Sequence, residues 1–332
     1  MTARRPYAFI GIVLVAVGTG WFTMVRMPGH SHQGPLPPLT DEQRALEQEL
    51  HSHVQTLAGQ IGERNVFHHD RLVMAADYIR TTLAGAGYEV HRQPYEVGGK
   101  ICENVEAELR GSRRPDDIIV VGAHYDSVQG SPGANDNASG VAAILALARA
   151  FAKTTPTHTL RFVSFTNEEP PLFQTNHMGS RVYARRSRER GEKIVLMLSL
   201  ETIGYYSDEP GSQHLLFPLS FIYPSTGNFI AFVSNVENGF LVRQLVGSFR
   251  QQAQFPSEGG ALWGLIPGVG WSDHWAFWKE GYPAVMVTDT TLFRYPAYHS
   301  NADRPEFVQY ERMARVVTGL HAVIAEMANT PT

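Results

Sequence analysis

One stretch of the chain, residues 119–140, constrains the fold more than any other. It reads IVVGAHYDSVQGSPGANDNASG, an apolar run that ends in His124 and is followed by turn residues. Asp136 then lies between two asparagines at the start of an apolar helical pattern. A buried strand that ends in polar side chains delivers them to the carboxyl edge of a sheet, where open α/β folds form their sites. We therefore expect His124 and Asp136 to lie at such an edge.

Strands and helices alternate along the rest of the chain. Apolar or alternating runs predict strands at 88–97, 101–109, 118–122, 160–166, 194–200 and 283–287. Helical spacing of apolar residues predicts helices that begin near 41, near 70 and after 136, and one that closes the chain. This alternation indicates an α/β fold with a mixed, mostly parallel sheet sandwiched by helices. The less regular stretch 211–270 is expected to be an insertion that walls the site.

The N-terminal end predicts a membrane anchor. Residues 7–25 carry no charge and are long enough to cross a bilayer as a helix, and Arg4 and Arg5 precede them. Because positive residues favour the cytoplasmic side, we expect a signal anchor or transmembrane helix over 1–26 and a domain outside the cytoplasm, periplasmic or extracellular. A cleaved signal peptide is the alternative, and it would make the protein secreted. Residues 27–40, rich in Pro, Gly, Ser and His, are expected to be a linker.

Charge and cysteine content exclude some kinds of site. The formal net charge is -4, and the sequence has no basic cluster with interleaved aromatic residues, which argues against nucleic acid as a partner. Cys102 is the single cysteine, so neither an intrachain disulfide nor a thiolate metal cluster can form.

Acidic or imidazole side chains follow several of the predicted strands. The candidates are His124, Asp136, Glu169 and Glu201, with His299 near the C-terminal end. Each one alone is typical of a turn, a helix cap or a satisfied polar residue. Random placement, however, rarely puts a ligand type at the mouth of three successive strands. A pair of divalent metals needs such oxygen and imidazole ligands, with one carboxylate able to bridge.

The adjacent Glu168 and Glu169 are the most informative pair. They follow a predicted buried strand and precede two prolines. Neighbouring carboxylates in this position point in different directions, so one can bind metal while the other acts on water as a general base. On spacing alone, a solvated acidic turn is an equally good interpretation.

Five motifs resemble those of the M28 zinc aminopeptidases. They are GAHYDSV at 122–128, PGANDNASG at 132–140, TNEEPP at 166–171, SDHWAF at 272–277 and YHSNAD at 298–303. They occur in the family's order and span essentially the whole part of the chain after the predicted anchor. The resemblance implies an M28-type metallopeptidase domain over 41–330, with a zinc-dependent exopeptidase-like fold and two zinc ions per chain.

The resemblance also implies the metal ligands. His124 would bind the first zinc and His299 the second, with Asp136 bridging both. Glu169 would complete the second site. Glu201 would bind the first zinc at a position where the family commonly has aspartate, and its extra methylene could change metal affinity or preference.

Two further roles follow from the resemblance. Glu168 would be the general base. Asp126 would accept a hydrogen bond from the His124 imidazole and fix its tautomer. The Asp136–Asn137 peptide bond is expected to be cis.

We therefore predict a metal-dependent aminopeptidase that removes N-terminal residues from peptides with a free N-terminus, through a di-zinc-activated water and a glutamate base. A glutaminyl cyclase-like acyltransferase on the same fold, working with one zinc, is the alternative. A non-catalytic receptor-like domain is a third, but it would require missing ligands or a missing base, and all six positions are filled. The preferred N-terminal residue, the oxyanion-stabilising group and the oligomeric state stay open.

Overall fold

The computed structural model of the chain describes residues 18–330. Within them the strands are β1 (Val90–Val97), β2 (Lys100–Leu109), β3 (Arg114–His124), β4 (His158–Phe165), β5 (Lys193–Glu201), β6 (Ile230–Asn235), β7 (Ser257–Leu262) and β8 (Ala284–Thr288). They form one sheet in the order β1-β2-β4-β3-β5-β8-β6-β7. The central strands β3, β4, β5 and β8 are parallel. Their carboxyl ends therefore share one edge of the sheet.

Antiparallel pairs lie toward both sides of this parallel centre. β2 is antiparallel to β1 and to β4, and β6 is antiparallel to β8 but parallel to β7. The predicted mixed α/β sheet is thus confirmed, and all six predicted strands are present, although β3 begins at Arg114 rather than at 118.

Helices cover both faces of the sheet. Besides a helical stretch at 18–24, the α-helices of the described chain are α1 (Asp41–Val54), α2 (His69–Gly85), α3 (Gly140–Phe151), α4 (Gly179–Glu189), α5 (Gly239–Gln252), α6 (His274–Lys279) and α7 (Tyr310–Asn329). α1, α2, α3, α5 and α7 pack on the face with the larger hydrophobic core, and α4 and α6 pack on the other face.

β3 explains why a continuous apolar run forms the centre of the sheet. Ile119 and Val121 join the larger core, whereas Ile118 and Val120 join the core on the opposite face. Because successive side chains of a strand point to opposite faces, a strand covered by helices on both sides must be apolar at every position. His124 is the last residue of this strand and lies at the carboxyl edge.

The stretch 211–270 holds more regular structure than its sequence suggests. It contains β6, α5 and β7, none of which the sequence pattern predicts. β7 reads SEGGAL, and its two glycines weaken the strand pattern. The two ends of the stretch, 211–229 and 263–270, consist mainly of turns and irregular loops.

The N-terminal segment lies against the domain. Met27 is buried, and the Arg250 guanidinium donates a hydrogen bond of 3.2 Å to the Pro28 carbonyl. The Ser257 N–H donates to Ser31 Oγ at 2.9 Å, and Arg315 Nη2 donates to the Pro37 carbonyl at 2.7 Å. The segment expected to be a linker is therefore held along β7 and α5 at its beginning and by α7 further on.

The predicted membrane segment, 7–25, lies mostly outside the described residues. In residues 18–330, every helix is too short or too polar to span a bilayer.

Candidate metal centre

The fold brings the five predicted ligands together at the carboxyl edge of the sheet. His124 ends β3, Glu201 ends β5 and Glu169 follows β4. Asp136 lies in the tight turn Ala134–Ser139 that leads into α3, and His299 lies in the loop before α7. The Asp136–Asn137 peptide bond is cis, as expected.

These side chains form two groups that share one carboxylate. His124 Nε2 lies 3.3 Å from Asp136 Oδ1 and 3.4 Å from Glu201 Oε2. His299 Nε2 lies 3.2 Å from Asp136 Oδ2 and 3.3 Å from Glu169 Oε2. In each group one ligand atom from every residue lies within 4.8 Å of the others. Asp136 therefore presents one oxygen to each histidine, the arrangement that a bridging carboxylate needs.

The donor set fits divalent zinc. Each group offers one imidazole nitrogen and carboxylate oxygens, which are ligands that zinc accepts. Asp136 Oδ1 and Glu169 Oε1 are buried and lack a hydrogen-bond partner among residues 18–330. Buried carboxylates need a compensating positive charge or hydrogen bonds. A cation between the ligands of each group would supply that charge.

Burial and mutual charge shift the pKa values of these groups. Burial alone would lower the pKa of His124, but the charge of Glu201 contributes most to raising it well above its usual range. Burial alone would raise the pKa of Asp136, but the neighbouring His124 and His299 side chains lower it. Burial and the charge of Asp136 raise the pKa of Glu169 to about 7. A bound cation would instead favour the ionised carboxylates and the neutral imidazoles.

Glu168 lies beside His124 without belonging to either ligand group. Its Oε2 is 3.9 Å from His124 Nε2, and the side chain is buried. Burial raises the pKa of Glu168 well above its usual range, and the charges of Glu201 and Glu169 act in the same direction. A carboxyl group with a raised pKa can accept a proton and pass it on near neutral pH.

Asp126 is placed to hold the glutamate pair. Its two carboxylate oxygens accept hydrogen bonds of 3.1 Å from the main-chain N–H groups of Glu168 and Glu169. The Nδ1 of His124 lies 3.2 Å from the main-chain oxygen of Asp126 and 3.5 Å from its carboxylate. The main-chain oxygen of Asp126 is therefore nearer to the imidazole ring than its carboxylate oxygen is. The carboxylate thus positions Glu168 and Glu169 as well as facing the imidazole.

The sequence did not single out the residues that fix the turn of Asp136. Asn137 Oδ1 accepts hydrogen bonds from the N–H groups of Gly140 and Thr202, at 3.0 and 3.1 Å. Its Nδ2 donates to the Leu200 carbonyl at 2.8 Å. These bonds join the start of α3 to the end of β5, and so fix Asp136 relative to Glu201. The only feature of the sequence that could have indicated this role is the pair of asparagines on either side of Asp136.

Glu201 has its own support. Ser272 Oγ donates to Glu201 Oε2 at 2.6 Å, and the Ser272 and Ser199 hydroxyls lie 2.9 Å apart. Ser272 begins the motif SDHWAF, so its position in that motif was the signal for this role.

Arg64 is fully buried and joins the loop after β3 to the segment after α1. Its side chain donates to the carbonyls of Tyr125, Pro132 and Gly133 at 2.5 to 2.9 Å. It also donates to the Gly62 carbonyl at 3.1 Å. Burial lowers its pKa to about 10, so it stays charged at neutral pH. One arginine before helix α2 carries no sequence signal for this role.

A pocket adjoins the candidate metal centre on the side of Glu201. Glu201, Thr202 and Tyr298 border it on the side of the candidate ligands. The Tyr298 ring stacks on His299 with centroids 3.8 Å apart. The other lining residues are mainly apolar and include Leu219, Tyr223, Phe229, Val233, Leu262 and Val269.

Comparison with known proteins agrees with this geometry. Residues 104–324 match Peptidase family M28. YfbL of Escherichia coli strain K12, described as an uncharacterized protein, is 36% identical over 285 residues, which cover 83% of this chain and 87% of YfbL.

Two solved structures share the fold. BSAP, a zinc aminopeptidase from Bacillus subtilis, is similar with a TM-score of 0.66 at 15% identity, covering 86% of this chain and 95% of that structure. A glutaminyl cyclase from Bacteroides thetaiotaomicron is similar with a TM-score of 0.64 at 16% identity, covering 84% and 97%. At such identities the likeness concerns the fold alone. Because the family match spans most of the sequence and YfbL matches along most of its length, the chain belongs to peptidase family M28.

Proposed function

We propose that this chain is an aminopeptidase that binds two zinc ions and removes N-terminal residues from peptides. The observation that carries the proposal is the pair of ligand groups joined by Asp136, with one oxygen toward each histidine. His124, Asp136 and Glu201 would hold one ion, and His299, Asp136 and Glu169 the other. Bound there, zinc would supply Lewis-acid polarisation of the substrate carbonyl and activation of water.

Glu168 is the proposed general base. Its carboxylate would accept a proton from the attacking water and later deliver it to the leaving amine. The support is its burial, its distance of 3.9 Å from His124 Nε2, and the hydrogen bond that its main-chain N–H donates to Asp126. A base that is held by its own backbone needs little rearrangement between these two proton transfers.

Substrate binding is proposed to use Glu201 and the neighbouring pocket. The free α-amine of the peptide would lie near the Glu201 carboxylate, and the first side chain would enter the apolar pocket that Glu201 borders. An α-amine bound beside the candidate metal centre would favour an exopeptidase. Apolar N-terminal residues are the expected preference, because the pocket wall is mainly apolar.

A glutaminyl cyclase is the second candidate, because a cyclase shares the fold at a similar TM-score. A panel of aminoacyl anilides and a peptide with N-terminal glutamine, offered to protein of measured zinc content, tests both. Hydrolysis of apolar anilides with two zinc ions per chain supports the aminopeptidase. Cyclisation of the glutaminyl peptide with one zinc and no hydrolysis would contradict it.

We also propose that the chain is anchored in a membrane with its domain outside the cytoplasm. The support is the uncharged run 7–25 behind Arg4 and Arg5. Protease added to intact cells or spheroplasts should reach the domain, and alkaline carbonate should leave the full chain in the membrane pellet. Release of the chain by carbonate would contradict the anchor.

A further inference from the structure

Five large apolar side chains are exposed around edge strand β7. Trp263 is 69% exposed and Leu265 97%, both in the loop that follows β7. Phe240, at the start of α5, is 81% exposed, and Phe217 and Phe221 are 80% and 84% exposed. We name these five side chains the apolar face. Exposed apolar groups of this size, gathered in one region, mark a surface that contacts a partner or a membrane.

The two loops that carry most of the apolar face lack charge altogether. Residues 211–223 read GSQHLLFPLSFIY and residues 262–271 read LWGLIPGVGW, without Asp, Glu, Lys or Arg. Contacts hold both loops at β7: the Tyr223 hydroxyl donates to the Gly259 carbonyl at 3.0 Å, and Leu219 and Leu262 line the same pocket. Loops exposed to water are ordinarily polar, so these two suit an apolar environment.

The N-terminal segment reaches the domain at this same region. A Cβ added at Gly239 would lie 3.3 Å from the Thr23 carbonyl and 3.4 Å from Ala261. Phe240 follows Gly239, and Trp263 comes two residues after Ala261. The uncharged run 7–25 therefore joins the domain beside the apolar face.

Arg243 of α5 contacts residues 22–26 of the N-terminal segment, and these contacts suit a lipid headgroup region. Arg243 donates to the Phe22 carbonyl at 2.7 Å and also to the Arg26 carbonyl. Its guanidinium lies over the Phe22 ring at 4.8 Å from the centroid. Trp21 and Phe22 are each about half exposed. Amphipathic aromatic rings such as that of Trp21 accumulate at both membrane–water interfaces.

The segment after the join keeps the domain from moving freely. Met27 is buried. Its side chain packs closely on Gly259 of β7, where an added Cβ would lie only 2.9 Å from it. The hydrogen bonds from Arg250 to Pro28 and from Ser257 to Ser31 continue this contact along the strand. An anchor joined in this way would present one fixed side of the domain to the bilayer.

We propose that the apolar face inserts into the lipid headgroup region of the membrane and holds the catalytic domain in one orientation on the bilayer. The inference rests on the membrane anchor proposed above. The loops of the face also line the pocket beside Glu201. The entrance to the candidate active site would therefore lie near the membrane surface.

The test uses the full chain reconstituted in vesicles of phosphatidylcholine and phosphatidylglycerol. An environment-sensitive fluorophore is attached to Leu265→Cys, and the matched control is Glu96→Cys. Glu96 is exposed on β1, which lies at the opposite end of the sheet from β7. The native Cys102 is buried, and the unsubstituted chain shows how much label it takes up.

We expect the probe at 265 to shift to shorter wavelength and to lose about half of its emission or more when headgroup spin-labelled lipid is included. The probe at 96 should keep its emission. If the chain floats with the vesicles but the two probes show equal emission, the inference is overturned and the anchor stands. A blue shift without lipid quenching would also overturn it, because it indicates a second protein molecule on the face. Failure of the chain to float with the vesicles would overturn the anchor and the inference together.

Discussion

Asp303 Oδ2 accepts a hydrogen bond of 3.0 Å from the main-chain N–H of Asp136. Its Oδ1 accepts from the N–H of Asn135 at 2.8 Å and from the Tyr295 hydroxyl at 2.9 Å. The carboxylate is fully buried and touches the main chain of the proposed bridging ligand rather than a ligand atom. Asp303 therefore fixes where the Asp136 carboxylate points.

Asp303→Asn should weaken zinc binding and turnover by about 10- to 100-fold, the usual effect of losing a group that orients a ligand. The amide puts an N–H donor where an acceptor is needed, so one of the two main-chain bonds is lost. Zinc titration with a competing chelator measures the affinity. Asp116→Asn, at an exposed position of β3, is the control. Unchanged zinc affinity in Asp303→Asn would show that Asp136 is held without it.

Arg64→Met should lower the free energy of unfolding by about 3 kcal/mol or more, because several buried carbonyls lose a charged donor. Urea denaturation followed by circular dichroism measures the change. Arg113→Met, on an exposed turn before β3, should stay within about 0.5 kcal/mol of the unsubstituted chain. Equal stability of the two variants would mean that the loop after β3 is fixed by other contacts.

Gly179→Ala should destabilise the fold by about 1–3 kcal/mol and reduce turnover, because the site has no space for a methyl group. Its Cβ would lie 2.3 Å from the Thr166 carbonyl and 2.4 Å from Asn104 Oδ1, at the strand end that leads to Glu168. Gly85→Ala is the matched control, since no atom of residues 18–330 lies within 4 Å of a Cβ added there. Thermal unfolding and anilide turnover are the two measurements, and normal values of both for Gly179→Ala would contradict the prediction.

His274 should make stability depend on pH between about 6.5 and 4. Burial lowers its pKa from 6.5 to about 4, while Nε2 lies 2.8 Å from the Val269 carbonyl. The unfolded chain binds the proton first as the pH falls, so this contribution is complete above pH 6.5 and is lost toward pH 4. The loss is roughly 3 kcal/mol, at about 1.4 kcal/mol per pKa unit.

To isolate this effect, the free energy of unfolding is measured at several pH values for the unsubstituted chain and for His274→Gln. The variant should show a shallower fall in stability from pH 6.5 to 4, because glutamine does not titrate. Parallel curves would show that His274 is not the group responsible.

The sequence points to these candidate ligands because they follow the ends of predicted strands. His124 and Glu201 end strands whose apolar runs are easy to recognise, and the structure brings both to Asp136. The residues that hold the candidate ligands in place were harder to predict. Arg64 acts through carbonyl groups from distant segments, and such contacts have no sequence pattern.

β6 and β7 were missed for a related reason. Both strands are short, and their pairing with each other and with β8 depends on contacts between distant parts of the chain. The packing of Met27 and Pro28 along β7 is likewise a tertiary effect. A composition rich in proline and glycine predicts a linker, but it does not show whether that linker packs on the surface of the domain.

We propose that Glu168 transfers the proton in a site that binds two zinc ions. The turnover of an apolar aminoacyl anilide by Glu168→Gln, with zinc measured on the same sample, tests this role. We predict two zinc ions per chain and a turnover lower by about 10²- to 10⁴-fold, because glutamine keeps the shape of the side chain but accepts no proton. Near-normal turnover by this variant with its zinc in place would contradict the assignment.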